Sequence, residues 1–204
     1  MTANLAVLVS GRGTNLQAII DAWEAGTLPV EIVGVLSDNP QAKALERASA
    51  HGLRTAVLVA ASYPDRRAYG EAVRDLLQSW GTDIVALAGF MRLLDPVVIR
   101  AFPWRILNIH PSLLPAFPGL HAQRQALEYG VRVSGCTVHL VDEGMDTGPI
   151  VLQAAVPVLP DDTEETLAAR ILKEEHRLYP EAIRLLATGR LKVEGRRVVI
   201  LPER

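Results

Sequence analysis

Apolar runs and helical apolar spacing follow one another along the first half of the chain. Uninterrupted apolar runs are typical of strands buried on both faces, and they predict strands over residues 4–9, 31–37, 53–59 and 83–88. Between them, apolar residues three or four positions apart predict amphipathic helices, each closed by a glycine at position 26, 52 or 81. This βαβαβαβ order predicts a Rossmann-like α/β fold, with a mostly parallel sheet flanked by helices.

The second half of the chain follows a different pattern. Strands over residues 105–110, 133–141 and 150–158, with a short helix over 121–129, predict antiparallel strands added to the parallel sheet. Asp162 and Glu165 have the spacing of a capping box, which predicts a long helix to about Thr188, kinked or divided by Pro180. A closing hairpin is predicted over 191–193 and 198–201.

Composition and charge narrow the classes of function. The 204 residues are 49% hydrophobic and 22% charged, with a net charge of −2, so neither nucleic acid nor an anionic membrane is expected as a partner. The single cysteine, Cys136, cannot form an intrachain disulfide, which fits a reducing cytoplasm. No histidine spacing indicates a metal site, and none is expected. A single domain over residues 1–204 is expected, with halves of about 1–100 and about 101–204.

The turn between the first strand and the first helix is one place that could carry chemistry. It reads Gly11-Arg12-Gly13-Thr14-Asn15, and its glycines let backbone N–H groups and the helix N-terminus face an anion such as a phosphate. Glycines there can equally serve to pack the helix on the strand. Gln17 and Ala18 interrupt the dinucleotide-binding pattern GxGxxG, so a mononucleotide phosphate is expected rather than NAD.

Asn108 and His110, two residues apart at the end of a predicted strand, are the second place. Side chains at i and i+2 share a face of a strand, and Pro111 ends the strand there. An amide beside an imidazole could stabilise an oxyanion, and Asp146 could fix an imidazolium or relay a proton through water. Such a set predicts acyl or one-carbon transfer. Taken singly, the same residues could be a turn-forming asparagine, a hydrogen-bonded histidine and a solvated aspartate.

The third place is the segment 88–94, Ala-Gly-Phe-Met-Arg-Leu-Leu, which follows the fourth predicted strand. Ligands of open α/β sheets bind at the carboxyl ends of strands, and an apolar pocket with a polar rim could hold a flat ring there. Packing is the alternative role for Phe90, Met91 and Leu94, and Arg92 could be a surface charge.

Four strings of the chain together resemble one family. LVSGRGTNLQAII, LAGFMRLL, LNIHPSLLPAFPGLHAQRQALEYG and DEGMDTGPIVLQ occur in the order found in the folate-dependent phosphoribosylglycinamide formyltransferase family, over nearly the whole chain. The resemblance implies transfer of a formyl group from the cosubstrate 10-formyltetrahydrofolate to the amine of 5-phosphoribosylglycinamide in purine biosynthesis. It implies direct attack by the amine, with neither a covalent enzyme intermediate nor a metal. We expect a cytoplasmic monomer or homodimer.

The resemblance also implies residue roles. Asn108 and His110 would stabilise the oxyanion, and Asp146 would position His110 and a water. The residues expected to hold the phosphoribosylglycinamide are Gly13, Thr14, Asn15 and Arg66 at the phosphate, Glu175 at the ribose, and Gly89 and Pro111 at the glycinamide. The folate would contact Leu87, Arg92, Leu93, Leu94, Ile99, Ile106, Asn108, Val141, Asp142, Glu143 and Asp146. Thr14 stands where the family often has serine, and a role for Arg12 stays open.

Two relatives that share the core Asn-x-His-Pro-Ser-Leu-Leu-Pro are alternatives. Methionyl-tRNA formyltransferase resembles the chain in this core but carries an additional C-terminal nucleic-acid-binding domain, and formyltetrahydrofolate hydrolase carries an additional N-terminal regulatory domain. Because the chain starts close to the first predicted strand, ends at Arg204 and is not basic, neither additional domain is expected. The segment Pro118-Gly119-Leu120-His121 and the glycine-rich turn favour a nucleotide acceptor over water. A catalytically silent nucleotide- or folate-binding protein on the same scaffold is the third alternative.

Overall fold

One mixed sheet organises the part of the chain that the computed structural model describes, residues 2–203. Its strands are β1 (Ala3–Val9), β2 (Val30–Ser37), β3 (Thr55–Val57), β4 (Ile84–Leu87), β5 (Ile106–His110), β6 (Val133–Leu140), β7 (Ile150–Pro157), β8 (Leu191–Glu194) and β9 (Arg197–Ile200). The α-helices are α1 (Thr14–Glu24), α2 (Lys43–Ala50), α3 (Arg66–Ser79), α4 (Pro96–Ala101), α5 (Ala122–Tyr129) and α6 (Glu164–Ala187), and a 3₁₀ helix covers Ala60–Ser62.

The order of the strands across the sheet is β3-β2-β1-β4-β5-β6-β7-β9-β8. Strands β1 to β5 are parallel to one another, whereas β6 is antiparallel to β5 and β7 is antiparallel to β6. The predicted Rossmann-like fold with antiparallel strands in the second half is therefore confirmed. The closing hairpin is also present, and its strand β9 pairs with β7 through Ile150 and Arg197 in a parallel sense that was not predicted. The chain reverses its direction of winding between β1 and β4, where such folds bind ligands.

Side chains of β1 alternate between two hydrophobic cores, one on each face of the sheet. Leu5, Val7 and Val9 belong to a core with α1, α2 and α6, which we call the α1 core. Ala6 and Leu8 belong to a core with α3 and α4, which we call the α3 core. Right-handed crossovers explain the division, because the chain moves outward from β1 to β3 and then returns to β4. Helix α3 therefore lies on the opposite face of the sheet from α1 and α2.

Several local predictions were wrong in detail. The capping box of α6 is formed by Thr163 and Thr166, whose hydroxyls accept from each other's backbone N–H at 3.3 and 2.9 Å, rather than by Asp162 and Glu165. Pro180 does not divide α6, which runs without a break from Glu164 to Ala187. The third strand covers only Thr55–Val57. Helix α4 was not predicted, although Asp95 caps it and Pro96 begins it.

A buried tyrosine of α6 connects that helix to the sheet. The Tyr179 side chain is fully buried, and its hydroxyl lies 2.8 Å from the carbonyl oxygen of Leu87 and 3.0 Å from that of Leu107. Burial raises the pKa of Tyr179 well above its ordinary value, so the hydroxyl keeps the proton that it donates. Helix α6 is thereby held against β4 and β5.

Candidate active site

A cavity of about 560 Å³ at the carboxyl edge of the sheet brings together most of the residues expected to bind the folate, to contact the glycinamide or to take part in catalysis. Those that line it are Leu87, Gly89, Arg92, Leu93, Leu94, Ile99, Asn108, His110, Pro111, Val141, Asp142, Glu143 and Asp146. Ile106 does not line it, contrary to the expected wall contact. This residue is 1% exposed and its side chain packs within the α3 core, two residues before Asn108 in β5.

Asn108 and His110 share one face of β5, and Asp146 faces His110 from the loop that follows β6. The His110 Nε2 atom lies 2.8 Å from the carbonyl oxygen of Phe117. Because a carbonyl can only accept, Nε2 carries a proton, and the other ring nitrogen, Nδ1, lies 3.5 Å from the Asp146 Oδ2 atom. A proton on Nδ1 would place a positive imidazolium beside the carboxylate. Nδ1 is thus the ring nitrogen that faces the carboxylate.

Asp146 is held in a defined position by its backbone and by its neighbours. Its φ of 54° lies in the left-handed region, which aspartate tolerates better than most residues. The Gly119 N–H donates to its carboxylate at 2.7 Å. Burial raises the pKa of the Asp146 carboxyl, but the facing His139, the Gly119 N–H and the charge of His110 outweigh it, and the pKa lies below its ordinary value. The carboxylate is thus ionised at neutral pH.

His139 completes this group, although the sequence alone predicted no role for it. It lies directly opposite Asn108 in the antiparallel pairing of β5 with β6. Its Nδ1 lies 3.0 Å from the Leu140 carbonyl oxygen, and its Nε2 lies 3.2 Å from the Asn108 amide nitrogen and 3.8 Å from the Asp146 Oδ1 atom. One N–H of the amide stays available for a ligand. The only signal for this role is the register of two strands, which the local pattern does not contain.

The segment 89–94 is tied to the ends of two other strands. The Arg92 guanidinium donates to Asp38 at 2.8 Å, and the Asp38 side chain is only 8% exposed. The Met91 N–H donates to the Ser10 hydroxyl at 2.9 Å. The Arg92 side chain is therefore more than a surface charge, because it anchors the wall of the cavity to the end of β2.

The anion-binding turn, by which we mean residues 11–15, lies on the α1 face of the sheet. Gly13 precedes α1 with a φ of 74°, and Thr14 lines a second cavity of about 420 Å³. The Asn15 amide donates to Glu175 of α6 at 3.1 Å. Glu175 is 7% exposed, and burial raises the pKa of its carboxyl while the Asn15 hydrogen bond lowers it by less. The predicted phosphate and ribose residues are thus neighbours, with the exception of Arg66.

Arg66 lies elsewhere. Its guanidinium donates to the carbonyl of Leu94, a residue that lines the larger cavity. The helix that begins at Arg66, α3, packs on the opposite face of the sheet from α1. The neighbouring Arg67 is paired with Glu71 at 3.2 Å. These contacts do not support the expected pairing of Arg66 with the phosphate.

Other groups with possible chemistry are few in the described part of the chain. Among residues 2–203, no group of three or more His, Cys, Asp or Glu side chains is arranged to hold a metal ion. No helix within this range is long and apolar enough to cross a membrane. Burial raises the pKa of the Cys136 thiol to about 12, so this buried cysteine of β6 stays protonated and is a poor nucleophile.

Known proteins are similar to this chain in sequence and in structure over most of its length. A family model described as formyl transferase matches residues 3–183. The chain is 45% identical over 190 residues to phosphoribosylglycinamide formyltransferase of Escherichia coli (strain K12), covering 93% of this chain and 90% of that protein. The crystal structure of glycinamide ribonucleotide transformylase 1 from Symbiobacterium toebii is similar with a TM-score of 0.97 and 58% identity, covering 98% of this chain and 95% of that one.

A longer relative matches over the same region. The trifunctional purine biosynthetic protein adenosine-3 of Drosophila pseudoobscura pseudoobscura is 50% identical over 190 residues. The match covers 92% of this chain and 14% of that protein, so the chain spans about one seventh of this relative. With the family model matched over most of its length, this chain belongs to the formyl transferase family.

Proposed function

We propose that this protein transfers the formyl group of 10-formyltetrahydrofolate to the amine of 5-phosphoribosylglycinamide, giving formylglycinamide ribonucleotide and tetrahydrofolate. One observation carries the proposal. Asn108, His110 and Asp146 converge on a single cavity in a chain that is similar, over nearly its whole length, to formyltransferases named for that acceptor. We further propose a cytoplasmic enzyme of small molecules, acting as a monomer or homodimer.

The larger cavity suits the folate cosubstrate. Its volume of about 560 Å³ falls within the usual range of small-molecule sites. Leu87, Leu94, Ile99 and Val141 offer apolar surface to a flat ring. The loop 142–147 is closed by Asp142, which accepts from the Gly144 N–H at 3.1 Å and from the Thr147 hydroxyl at 2.6 Å, so its backbone groups are fixed before a ligand arrives.

The acceptor would occupy the α1 side of the site. The anion-binding turn presents the N–H groups at the start of α1 to the phosphate, where the helix dipole favours negative charge. Glu175, held by Asn15, offers a carboxylate to the ribose hydroxyls. Gly89 and Pro111 line the larger cavity beside the catalytic residues and would contact the glycinamide.

The chemistry follows from the charges at the site. The acceptor nitrogen attacks the formyl carbon, and the carbonyl electrons move to oxygen, where the free N–H of Asn108 and the charge of the His110 imidazolium stabilise them. The bond from carbon to the folate nitrogen then breaks. The proton released by the acceptor amine reaches the departing nitrogen through a water held by Asp146. No side chain forms a bond to the formyl group.

The test measures the absorbance change on deformylation of 10-formyltetrahydrofolate, with and without 5-phosphoribosylglycinamide. Turnover that requires the nucleotide supports the proposal. Nucleotide-independent loss of formyl would support the hydrolase, and saturable folate binding without turnover would support the silent binding protein. Size-exclusion chromatography with light scattering reports the oligomeric state.

A further inference from the structure

Helix α2 packs against the back of the anion-binding turn. The Ala44 N–H donates to the Gly11 carbonyl at 3.0 Å, and the Arg47 Nε donates to the Arg12 carbonyl at 2.8 Å. A Cβ atom added at Gly13 would lie 2.6 Å from the Ala44 Cβ, which is closer than real Cβ contacts. Two consecutive carbonyls of the turn are therefore held by one helix at close range.

These two hydrogen bonds determine where the N–H groups of the turn point. In a trans peptide the carbonyl of one residue and the N–H of the next point in opposite directions. Because the Gly11 and Arg12 carbonyls point towards α2, the N–H groups of Arg12 and Gly13 point away from it, to the open side of the turn. An anion at the start of α1 would meet N–H groups that are already oriented.

The Arg47 guanidinium also brings a positive charge to this side of the molecule. It lines the 420 Å³ cavity together with Thr14, on the face of the sheet that carries α1. Its NH1 group lies 3.4 Å from the Gln17 side-chain oxygen. Asp21, the carboxylate in the same cavity, accepts from the Gln17 amide at 2.8 Å. Arg66 lies on the other face, where it binds Leu94.

We propose that Arg47 is a positioning residue of the phosphate subsite. It holds the Arg12 carbonyl so that the Gly13 N–H faces the phosphate, and its charge adds to that of the helix N-terminus. This inference rests on the proposed function, since it assigns to Arg47 the support of the acceptor's phosphate.

The kinetic test compares 5-phosphoribosylglycinamide with the dephosphorylated glycinamide riboside as acceptors. For Arg47→Met we expect KM for the phosphorylated acceptor to rise roughly 10- to 100-fold, the scale for losing hydrogen bonds to a charged group, with kcat nearly unchanged. The kcat/KM for the riboside should stay within about twofold, as for a uniform loss of phosphate binding. Arg47→Lys, which keeps the charge, should recover part of the loss. Arg66→Met is the matched control and should leave KM for the nucleotide unchanged.

Equal losses with both acceptors, or a larger effect of Arg66→Met on the nucleotide, would overturn the proposal. Calorimetry with ribose 5-phosphate tests it separately from turnover, with circular dichroism as the check that each variant is folded. Binding by the wild type that is weakened in Arg47→Met supports the role of Arg47 even if formyl transfer is not observed. Equal binding by both proteins, or no binding by the wild type, would refute it.

Discussion

Glu175→Gln should make the protein more stable at neutral pH while weakening its binding of the nucleotide. The Glu175 carboxyl is 7% exposed and accepts a hydrogen bond from the neutral Asn15 amide at 3.1 Å. Burial is the larger influence, and it raises the pKa of the carboxyl above its ordinary value of 4.5. Glutamine has nearly the same shape and can still accept from Asn15, but it carries no charge.

The size and the pH dependence of the effect follow from this burial. A buried polar group that is incompletely satisfied costs about 1 to 3 kcal/mol of stability. Removing this cost in the glutamine variant should raise Tm by roughly 2 to 12 °C for a chain of this length. Because the pKa is raised in the folded state, folded protein binds the proton more tightly than unfolded protein. The free energy of unfolding of the wild type therefore falls as pH rises from 4.5 through the raised folded pKa. The glutamine variant does not lose this stability, so the difference grows with pH.

The assay is urea unfolding followed by tryptophan fluorescence, at several values from about pH 4 to about pH 8. Glu174→Gln is the matched control, because Glu174 is the preceding residue and pairs with Arg177 at the surface, where such a pair contributes about 1 kcal/mol or less. A Glu175→Gln variant that is less stable than the wild type at neutral pH, or a difference that does not change with pH, would refute the reasoning. In the same variant, KM for the nucleotide acceptor should rise.

Three further substitutions test the catalytic group, the cavity wall and the turn. Asp146→Asn should lower kcat by roughly 100-fold or more, the scale for one preorganised catalytic group, while a folate analogue still binds in a fluorescence titration. Asp38→Asn should raise KM for the folate roughly three- to tenfold, because Arg92 loses its charged partner and the segment 89–94 loosens. Gly13→Ala should lower the free energy of unfolding by at least about 1 to 2 kcal/mol in urea, because φ is 74° and Ala44 leaves no room.

Each of these three has an outcome that contradicts it. Unchanged kcat in folded Asp146→Asn would remove this residue from the mechanism. For Asp38→Asn, a parallel rise in KM for the nucleotide would indicate general damage rather than a loosened folate wall. Wild-type stability of Gly13→Ala would mean that the turn can adopt another conformation, and that its left-handed glycine is not required.

The sheet and the placement of Asn108 beside His110 were predictable because their signals are local. Four apolar runs separated by amphipathic segments leave few alternatives to a parallel sheet, and the i, i+2 spacing places Asn108 and His110 on one face of whichever strand contains them. The contribution of His139 was not predictable in this way. It depends on which residue of β6 lies opposite Asn108, and strand register is decided by contacts between segments rather than within them.

The assignment of Arg66 shows a second limit of the sequence. Alignment with a family places an arginine near the start of a helix, but the face of the sheet on which that helix packs decides which ligand the arginine can reach. Right-handed crossovers put α3 opposite α1, which removes Arg66 from the anion-binding turn. Asp95 and Pro96 show the opposite case, since the sequence does contain a local signal for the start of α4, in a capping aspartate followed by a proline at the first helical position.

The division of the interior into two cores makes the two halves of substrate recognition separately adjustable. Phe90 and Leu94, beside the cavity that we propose for folate, belong to the α3 core, whereas Leu16, just after the anion-binding turn, belongs to the α1 core. Substitutions that repack one core affect the ligand subsite beside that core first. Both cores contain side chains of β1, in alternation along the strand. Sequence change can therefore accumulate on the cosubstrate side of the sheet over evolutionary time while recognition of the acceptor is conserved, and an engineer can redesign one side at a time.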